Sequence, residues 1–353
     1  MAIRIMHIGV GIRGRHWLEI VRDYPDAVSV ACVDIDERAL NDAKTKLEQN
    51  DFQYFTDLET ALRTVKADAA LIASPPVLHA QHALKALDAG MAVIIEKPFT
   101  STIEEASQVI HRAKVTAKPV VVAEQFRFVP AERTIRKLVR EGLLGEIASV
   151  TFTDRRRMPA SGQGPWMAKI ENAQLQEIAV HHFDSVRSFF GRRPVNIIAR
   201  VWNPPWSDYA HGACTEALIE MDGGLHVQYL GTLTSHRFSY SVWIEGDRGV
   251  LWTNRKFVMW RPRGKRLFWP VKLAKVPKGD EAAFPKEGST SLLDSLRDAI
   301  HNGKEPETSG EDNIWTLAMV EAGKCSAAER RMVSIDEVFA DPALTKKSQK
   351  RVG

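Results

Sequence analysis

The chain has 353 residues, of which 44% are hydrophobic and 26% are charged. This is the balance of a soluble globular protein, and the length exceeds what one hydrophobic core usually serves, so we expect two domains. Lysines and arginines number 48 against 44 aspartates and glutamates, a net charge of +4 that suits an anionic ligand and is too small to indicate nucleic acid as a partner.

The cysteines and the apolar runs indicate the compartment. Three cysteines lie far apart, without the spacing of metal ligands, so we expect neither disulfides nor a metal site. The first apolar run leads into a glycine turn, unlike a signal peptide, and no run of about 18 apolar residues occurs that would cross a membrane. We therefore predict a cytoplasmic protein without a membrane partner.

Residues 1–123 alternate between short apolar strands and helices. Strands are predicted at 3–10, 28–33, 69–73, 91–95 and 119–123, with helices at 14–22, 37–49, 79–89 and 103–113 between them. Continuous apolar strands separated by helices indicate a parallel sheet that is covered on both faces. With right-handed crossovers, this predicts an α/β N-terminal Rossmann domain with a doubly wound parallel sheet.

Residues 124–353 have a different pattern. A helix at 130–140, a long strand at 147–157 and a helix at 175–190 precede strand-like segments from 195 to about 271, and helices follow at 292–300 and 313–329. Because the strands are grouped, we predict an α+β C-terminal domain with a large, mainly antiparallel open sheet. An exposed sheet face rich in Trp and Val favours a homo-oligomer, a dimer or tetramer.

The first strand is followed by a glycine-rich turn that opens the first helix, Gly9-Val10-Gly11-Ile12-Arg13-Gly14. In a dinucleotide site such glycines provide a tight turn, close approach of the backbone to the pyrophosphate, and close packing of helix on strand. The N–H groups at the start of the helix then face the negative charge. The turn therefore predicts binding of a dinucleotide cofactor.

The second strand ends at Asp34, the position from which an acid would hydrogen-bond the adenosine ribose. A carboxylate there repels a 2′-phosphate, so NAD is favoured. Arg13, Arg15 and Arg38 lie close enough in sequence to meet such a phosphate, which leaves NADP open. The alternative is a plain turn with a helix-capping aspartate.

Further motifs follow in order along the chain: Ser74-Pro75-Pro76 with His79, then Glu96-Lys97-Pro98, then Glu177-x-Ala179-x-His181-x-x-Asp184, and finally 306–312. Together with the glycine turn, they resemble the Gfo/Idh/MocA oxidoreductases. That family has aspartate at the position of Glu177 and glycine at that of Ala179.

The resemblance implies roles for the residues that follow the strands. Ser74, Pro75, His79, Glu96 and Gln125 would line the cofactor, and Lys97 would reach the substrate. The position of Glu96 and Lys97 supports this independently, because the carboxyl ends of parallel strands line the ligand crevice. Pro98 suits a cis peptide bond that would hold both side chains.

The helix at 175–190 carries a candidate base. Glu177, His181 and Asp184 are spaced so that they share one face of an α-helix, and a histidine oriented by an acid is suited to accepting a proton. His182 is interpreted as a core or surface residue. Arg157 and Trp166, with Asp184, are candidate substrate contacts, although a solvated strand end with a packed tryptophan explains the first two equally well.

These residues predict an NAD(P)-dependent oxidoreductase that moves a hydride between nicotinamide and a carbon of a sugar, cyclitol or related polyhydroxy compound. His181 would accept the proton, with Lys97 as its partner and Glu177 as the group that orients it. An NAD-dependent glycosidase of the same fold and a non-catalytic regulatory protein are the alternatives.

Overall fold

The computed structural model describes residues 2–47, 52–162, 169–278, 280 and 286–341. The chain divides into two compact units. Unit 1 comprises Met1–Phe128 and Val276–Ile314, and unit 2 comprises Val129–Lys275 and Trp315–Gly353.

Unit 1 contains a six-stranded sheet in which every neighbouring pair is parallel. The strands are β1 (Ile3–Ile8), β2 (Ala27–Val33), β3 (Gln53–Phe55), β4 (Ala69–Ile72), β5 (Ala92–Ile95) and β6 (Val120–Val122). Their order, β3-β2-β1-β4-β5-β6, is that of a Rossmann fold. The predicted parallel sheet is confirmed.

Unit 2 contains a nine-stranded sheet. Its strands are β7 (Ile147–Arg157), β8 (Pro194–Trp202), β9 (Cys214–Met221), β10 (Leu225–Thr232), β11 (Thr234–Gly246), β12 (Gly249–Thr253), β13 (Val258–Pro262), β14 (Trp269–Val271) and β15 (Val333–Ser334). The order is β14-β13-β12-β11-β7-β10-β9-β8-β15, and every pair except β7 with β10 is antiparallel. The predicted, mainly antiparallel sheet is likewise confirmed.

The helices connect and cover these sheets. They are α1 (Ile12–Arg22), α2 (Glu37–Leu47), α3 (Leu58–Thr64), α4 (His79–Asp88), α5 (Ile103–Thr116), α6 (Pro130–Arg140), α7 (Val180–Phe190), α8 (Ser289–Asn302), α9 (Gly310–Glu329) and α10 (Ile335–Ala340). Short 3-10 turns follow β4 and β6, at Pro76–Leu78 and Gln125–Phe128. Across the described ranges, none of these helices combines the length and the apolar character that a membrane span requires.

The late segment 276–314 belongs to unit 1, whereas the sequence pattern placed all of 124–353 in the second domain. The reason is apolar packing. Leu292, Leu293 and Leu296 of α8 are fully buried in one cluster with Ile3 and Ile5 of β1. Helical periodicity shows that α8 has an apolar face, but it does not show which sheet that face covers.

Candidate cofactor and substrate site

The three glycines of the turn after β1 have different surroundings. Gly9 has φ +87°, and a Cβ there would lie 2.5 Å from the backbone nitrogen of Ser74. A Cβ on Gly14 would lie 2.1 Å from the carbonyl oxygen of Gly9, whereas one on Gly11 meets no atom within 4 Å. Gly9 and Gly14 therefore serve the fold, and Gly11 lies beside open space.

That open space adjoins the start of α1, whose N-cap residue is Gly11. Since glycine has no side chain to cover the first N–H groups of the helix, they are available to an anion. A pyrophosphate therefore fits this turn, and a methyl group on Gly11 would occupy part of its place.

Asp34 is tied to the same turn. One carboxylate oxygen accepts a hydrogen bond of 2.8 Å from the backbone N–H of Val10, and the other accepts one of 3.0 Å from the N–H of Asp36. The capping bond at the start of α2 is made by Asp36, which accepts from Arg38 N–H at 2.9 Å. Asp34 thus lies next to the glycine turn, where an acid fits the hydroxyls of a ribose.

His79 joins the turns that follow β4 and β5. Its Nε2 lies 2.9 Å from the carbonyl oxygen of Ser74, and its Nδ1 lies 2.8 Å from that of Pro98. The side chain is buried, and burial lowers the pKa of His79 against the opposing effect of the two carbonyls. The structure shows His79 as a buried link between two turns, and its predicted contact with the cofactor stays a prediction.

Glu96 and Arg13, which the sequence treats as separate cofactor residues, form an ion pair of 2.5 Å. The same oxygen of Glu96 accepts a hydrogen bond of 2.6 Å from Trp17 Nε1. Burial opposes ionisation of Glu96, but Arg13 and Trp17 outweigh it and lower the pKa of the carboxyl. Trp17 was missed by the sequence reasoning. The available signal is its position one helical turn after Arg13, whose guanidinium lies over the indole at 5.3 Å.

Lys97 and Gln125 follow the neighbouring strands β5 and β6. Lys97 is half-buried, and its peptide bond to Pro98 is cis, as the sequence predicts. Gln125 is buried in the 3-10 turn, and its Oε1 has no hydrogen-bond partner among the described residues. A buried amide oxygen without a partner fits a polar ligand such as a carboxamide.

The helix that carries His181 is not regular. Residues Leu175–Ala179 form a π turn, and α7 begins only at Val180. The predicted α-helix over 175–190 is therefore wrong for its first turn, and the relation of Glu177 to His181 is not the regular i, i+4 spacing. Turns of this kind occur often at functional sites. His181 is 4% exposed and Glu177 is half-buried.

Asp184 lies inside unit 2 rather than on a surface. One of its carboxylate oxygens accepts from the hydroxyl of Thr316 at 3.0 Å and lies 3.8 Å from the guanidinium of Arg187. Arg157, by contrast, is exposed at the end of β7, level with Thr234 of β11. Trp166 lies outside the residues that the structure describes.

Family models match both parts of the chain. Residues 3–124 match a model described as an oxidoreductase family with an NAD-binding Rossmann fold, and residues 133–252 match the GFO/IDH/MocA C-terminal domain. The chain belongs to the Gfo/Idh/MocA oxidoreductase family.

Relatives of this Gfo/Idh/MocA protein include named dehydrogenases. It is 27% identical over 351 residues to a D-apiose dehydrogenase of Paraburkholderia graminis, covering 97% of this chain and 92% of that protein. It is 26% identical over 230 residues to an inositol 2-dehydrogenase of Corynebacterium glutamicum, covering 64% and 66%. Its fold is similar to that of an Agrobacterium radiobacter oxidoreductase solved with NAD+, L-tartaric acid and magnesium, with a TM-score of 0.85, 19% identity and coverage of 95% and 99%.

In this Gfo/Idh/MocA oxidoreductase the predicted residues fall into two groups. Unit 1 brings together the glycine turn and the residues that follow β2, β4, β5 and β6, namely Asp34, Ser74, Pro75, Glu96, Lys97 and Gln125. Unit 2 holds Glu177, His181 and Asp184 on or beside α7, and Arg157 at the end of β7. The family match makes unit 1 an NAD-binding Rossmann domain.

A buried polar network behind α7 was also missed. Gln174 Nε2 donates to the hydroxyl of Tyr229 at 2.6 Å, and that hydroxyl lies 2.9 Å from Nδ1 of His182. His182 Nε2 lies 3.1 Å from the carboxylate of Asp154. Because Tyr229 accepts from Gln174, we assign its proton to the bond with Nδ1, and the imidazole proton to Nε2. Of the two interpretations that the sequence left for His182, core or surface, the structure shows the core. The network ends at Gln174, the residue before the π turn.

Proposed function

We propose that this chain is an NAD-dependent dehydrogenase of a small polyhydroxy compound such as a sugar, a cyclitol or a related acid. The observation that carries the proposal is the position of Glu96, Lys97 and Gln125 after the carboxyl ends of the neighbouring parallel strands β5 and β6. The glycine turn and Asp34 follow other strands of the same sheet. The names of the relatives, D-apiose dehydrogenase and inositol 2-dehydrogenase, support this class of substrate.

Three charged side chains favour NAD over NADP. The Asp34 carboxylate at the glycine turn would repel a 2′-phosphate. Arg13 is bound by Glu96 at 2.5 Å, and Arg15 lies 3.4 Å from Asp42. Two of the three arginines that the sequence offers to a phosphate thus already have acidic partners.

Bound NAD+ supplies the acceptor for a hydride. The residues of this chain would handle the substrate. Lys97 would hold the reacting hydroxyl by its ammonium group, and His181 would accept the proton that leaves the oxygen, with Glu177 orienting the imidazole. Arg157 would bind a carboxylate or phosphate of the substrate, and Trp166 would stack on a sugar face. Asp184 would support α7 through Thr316 and Arg187.

A panel of sugars, cyclitols and sugar acids tests this proposal, with NAD+ and NADP+ in parallel and the absorbance of the reduced cofactor as the signal. We expect reduction of NAD+ by at least one compound. Binding of NADP+ tenfold tighter than NAD+ would refute the role of Asp34. Release of free sugar from glycosides without net reduction would favour the glycosidase, and cofactor binding without any turnover would favour a regulatory protein.

We also propose a homo-oligomer formed through the solvent face of the nine-stranded sheet. Leu218 of β9 is 55% exposed there, between the buried Ala217 and Ile219, and Trp243 and Trp252 are half-buried. Apolar side chains that are exposed or half-buried on this face favour cover by a second copy. Light scattering coupled to gel filtration measures the assembly directly, and a monomer at micromolar concentration would refute this part.

A further inference from the structure

Glu124 is a buried carboxyl group to which the proposed mechanism gives no task. It follows the apolar residues of β6 as Glu96 follows those of β5, and it is 1% exposed. An acid so fully buried is costly unless it has partners of opposite charge or hydrogen-bond donors. Its surroundings therefore indicate what it does.

The register of the sheet brings the segments that carry Lys97 and Glu124 side by side. In the parallel pair β5 and β6, Ile95 lies opposite Val122, and the N–H of Ala123 donates to the carbonyl of Ile95 at 2.8 Å. Lys97 and Glu124 each lie two residues beyond that opposed pair. Both residues lie beyond the last paired residues of their strands, and the N–H of Glu124 turns back to donate to the carbonyl of Val122 at 2.8 Å. The lysine and the acid thus follow the adjoining carboxyl ends of two neighbouring strands.

The charged groups around Glu124 come from each element packed against it. Lys97 and Glu96 follow β5, Arg127 lies in the 3-10 turn, and the polar Asn313 of α9 lowers the pKa of the carboxyl, as do Lys97 and Arg127. Two of these charges have strong partners of their own. Arg13 binds Glu96, and Arg127 binds Asp312 and the carbonyl of Glu307.

We propose that Glu124 is the counter-charge of Lys97 and positions its ammonium group for the substrate hydroxyl. This inference rests on the proposed catalytic role of Lys97. Burial raises the pKa of Glu124 to about 7, against the opposing effect of Lys97 and Arg127. Below that pH the carboxyl is protonated and Lys97 loses its counter-charge, so turnover falls as the pH drops through about 7.

The test uses Glu124→Gln, which keeps the size of the side chain but removes its charge. The matched control is Glu104→Gln on the exposed side of α5. We expect kcat of Glu124→Gln to depend less steeply on pH near 7 than kcat of wild type. We also expect kcat to be about ten- to a hundredfold lower, with KM and the Kd for NAD+ nearly unchanged. The control should behave as wild type. If kcat of Glu124→Gln and its dependence on pH both equal those of wild type, the proposal is overturned.

A second measurement needs no turnover. Acetic anhydride labels neutral amines, and mass spectrometry gives the labelling rate of each lysine in the full chain. We expect Lys97 in Glu124→Gln to be labelled about tenfold faster at neutral pH than in wild type, because an adjacent carboxylate holds the proton on the amine. The exposed Lys114 should not change. Equal rates for Lys97 would overturn the role of Glu124.

If Glu124→Gln fails to fold, the labelling rates of the wild-type protein still test the proposal. Labelling of Lys97 should then rise less steeply above pH 7 than that of Lys114, because Glu124 ionises there. Parallel curves would overturn the proposal. A changed labelling rate together with no turnover on any compound would leave the Glu124–Lys97 pair standing and refute the proposed dehydrogenase activity.

Discussion

Substituting Gly9 and Gly11 of the turn one at a time separates a role in the fold from a role in binding. At Gly9, with φ +87°, alanine is forced into the left-handed region, at a cost of about 1–2 kcal/mol. Its methyl group would also stand 2.5 Å from backbone of Ser74, and relief of such overpacking costs about 1–3 kcal/mol more. Gly9→Ala should therefore destabilise unit 1 by about 2–5 kcal/mol, a fall in Tm of roughly 5–15 °C.

Gly11→Ala is the matched comparison, because its methyl group meets no protein atom within 4 Å. Replacing the glycine N-cap of α1 should lower the free energy of unfolding by less than about 1 kcal/mol. The methyl group would lie where the pyrophosphate is expected to approach, so the Kd for NAD+ should rise about tenfold or more. This corresponds to a loss of at least about 1.4 kcal/mol of binding free energy. Calorimetric scanning and titration of cofactor fluorescence measure the two effects. A stable Gly9→Ala, or a Gly11→Ala that binds NAD+ as wild type does, would refute these assignments.

Two further substitutions test unit 2. His181→Asn should lower kcat about a hundredfold or more while the Kd for NAD+ is unchanged, as expected for a lost general base, and unchanged turnover would exclude that role. Burial raises the pKa of Glu132 to about 7, against the opposing effect of Arg255. Because this folded-state pKa lies above the unfolded value, the stabilising contribution is present at low pH and is lost as the pH rises through about 7. Relative to Glu132→Gln, wild type should therefore lose up to about 3 kcal/mol of unfolding free energy between about pH 5 and 8, measured by urea titration; parallel curves would contradict this.

The parts of the fold that the sequence predicts are those that depend on local periodicity. Apolar runs identify β1, β2, β4, β5 and β6, because β4, β5 and β6 are buried along their whole length, β1 along most of it and β2 over its last three residues. The short edge strand β3, Gln53–Phe55, and the seven-residue α3 carry too little pattern to stand out. The return of α8 to unit 1 was also missed, because it depends on contacts between residues almost 300 positions apart.

The same distinction holds for the candidate site. Strand-end reasoning identifies Glu96 and Lys97, and it applies equally to Glu124, which follows the apolar run 120–123. What it does not provide is the partner of each charge. Arg13 and Glu96 are 83 residues apart, and Arg127 and Asp312 are 185 apart. Which cation meets which acid is decided by packing, and the pairing determines whether Arg13 is available to a phosphate.

The π turn changes what the glutamate at position 177 implies. In a regular α-helix, its extra methylene relative to the family's aspartate would displace the carboxylate from His181, and a shift of about 1 Å can cost about a hundredfold in rate. The wider turn over Leu175–Ala179 changes the angle between residues 177 and 181 around the helix axis. The side-chain length needed to reach the imidazole of His181 is therefore not the one that a regular α-helix requires. We therefore expect the longer side chain to be the one this turn needs, and Glu177→Asp to lower kcat about tenfold or more, with KM little changed. If Glu177→Asp instead has a higher kcat than wild type in steady-state assays, glutamate orients His181 less well than the aspartate found elsewhere in the family.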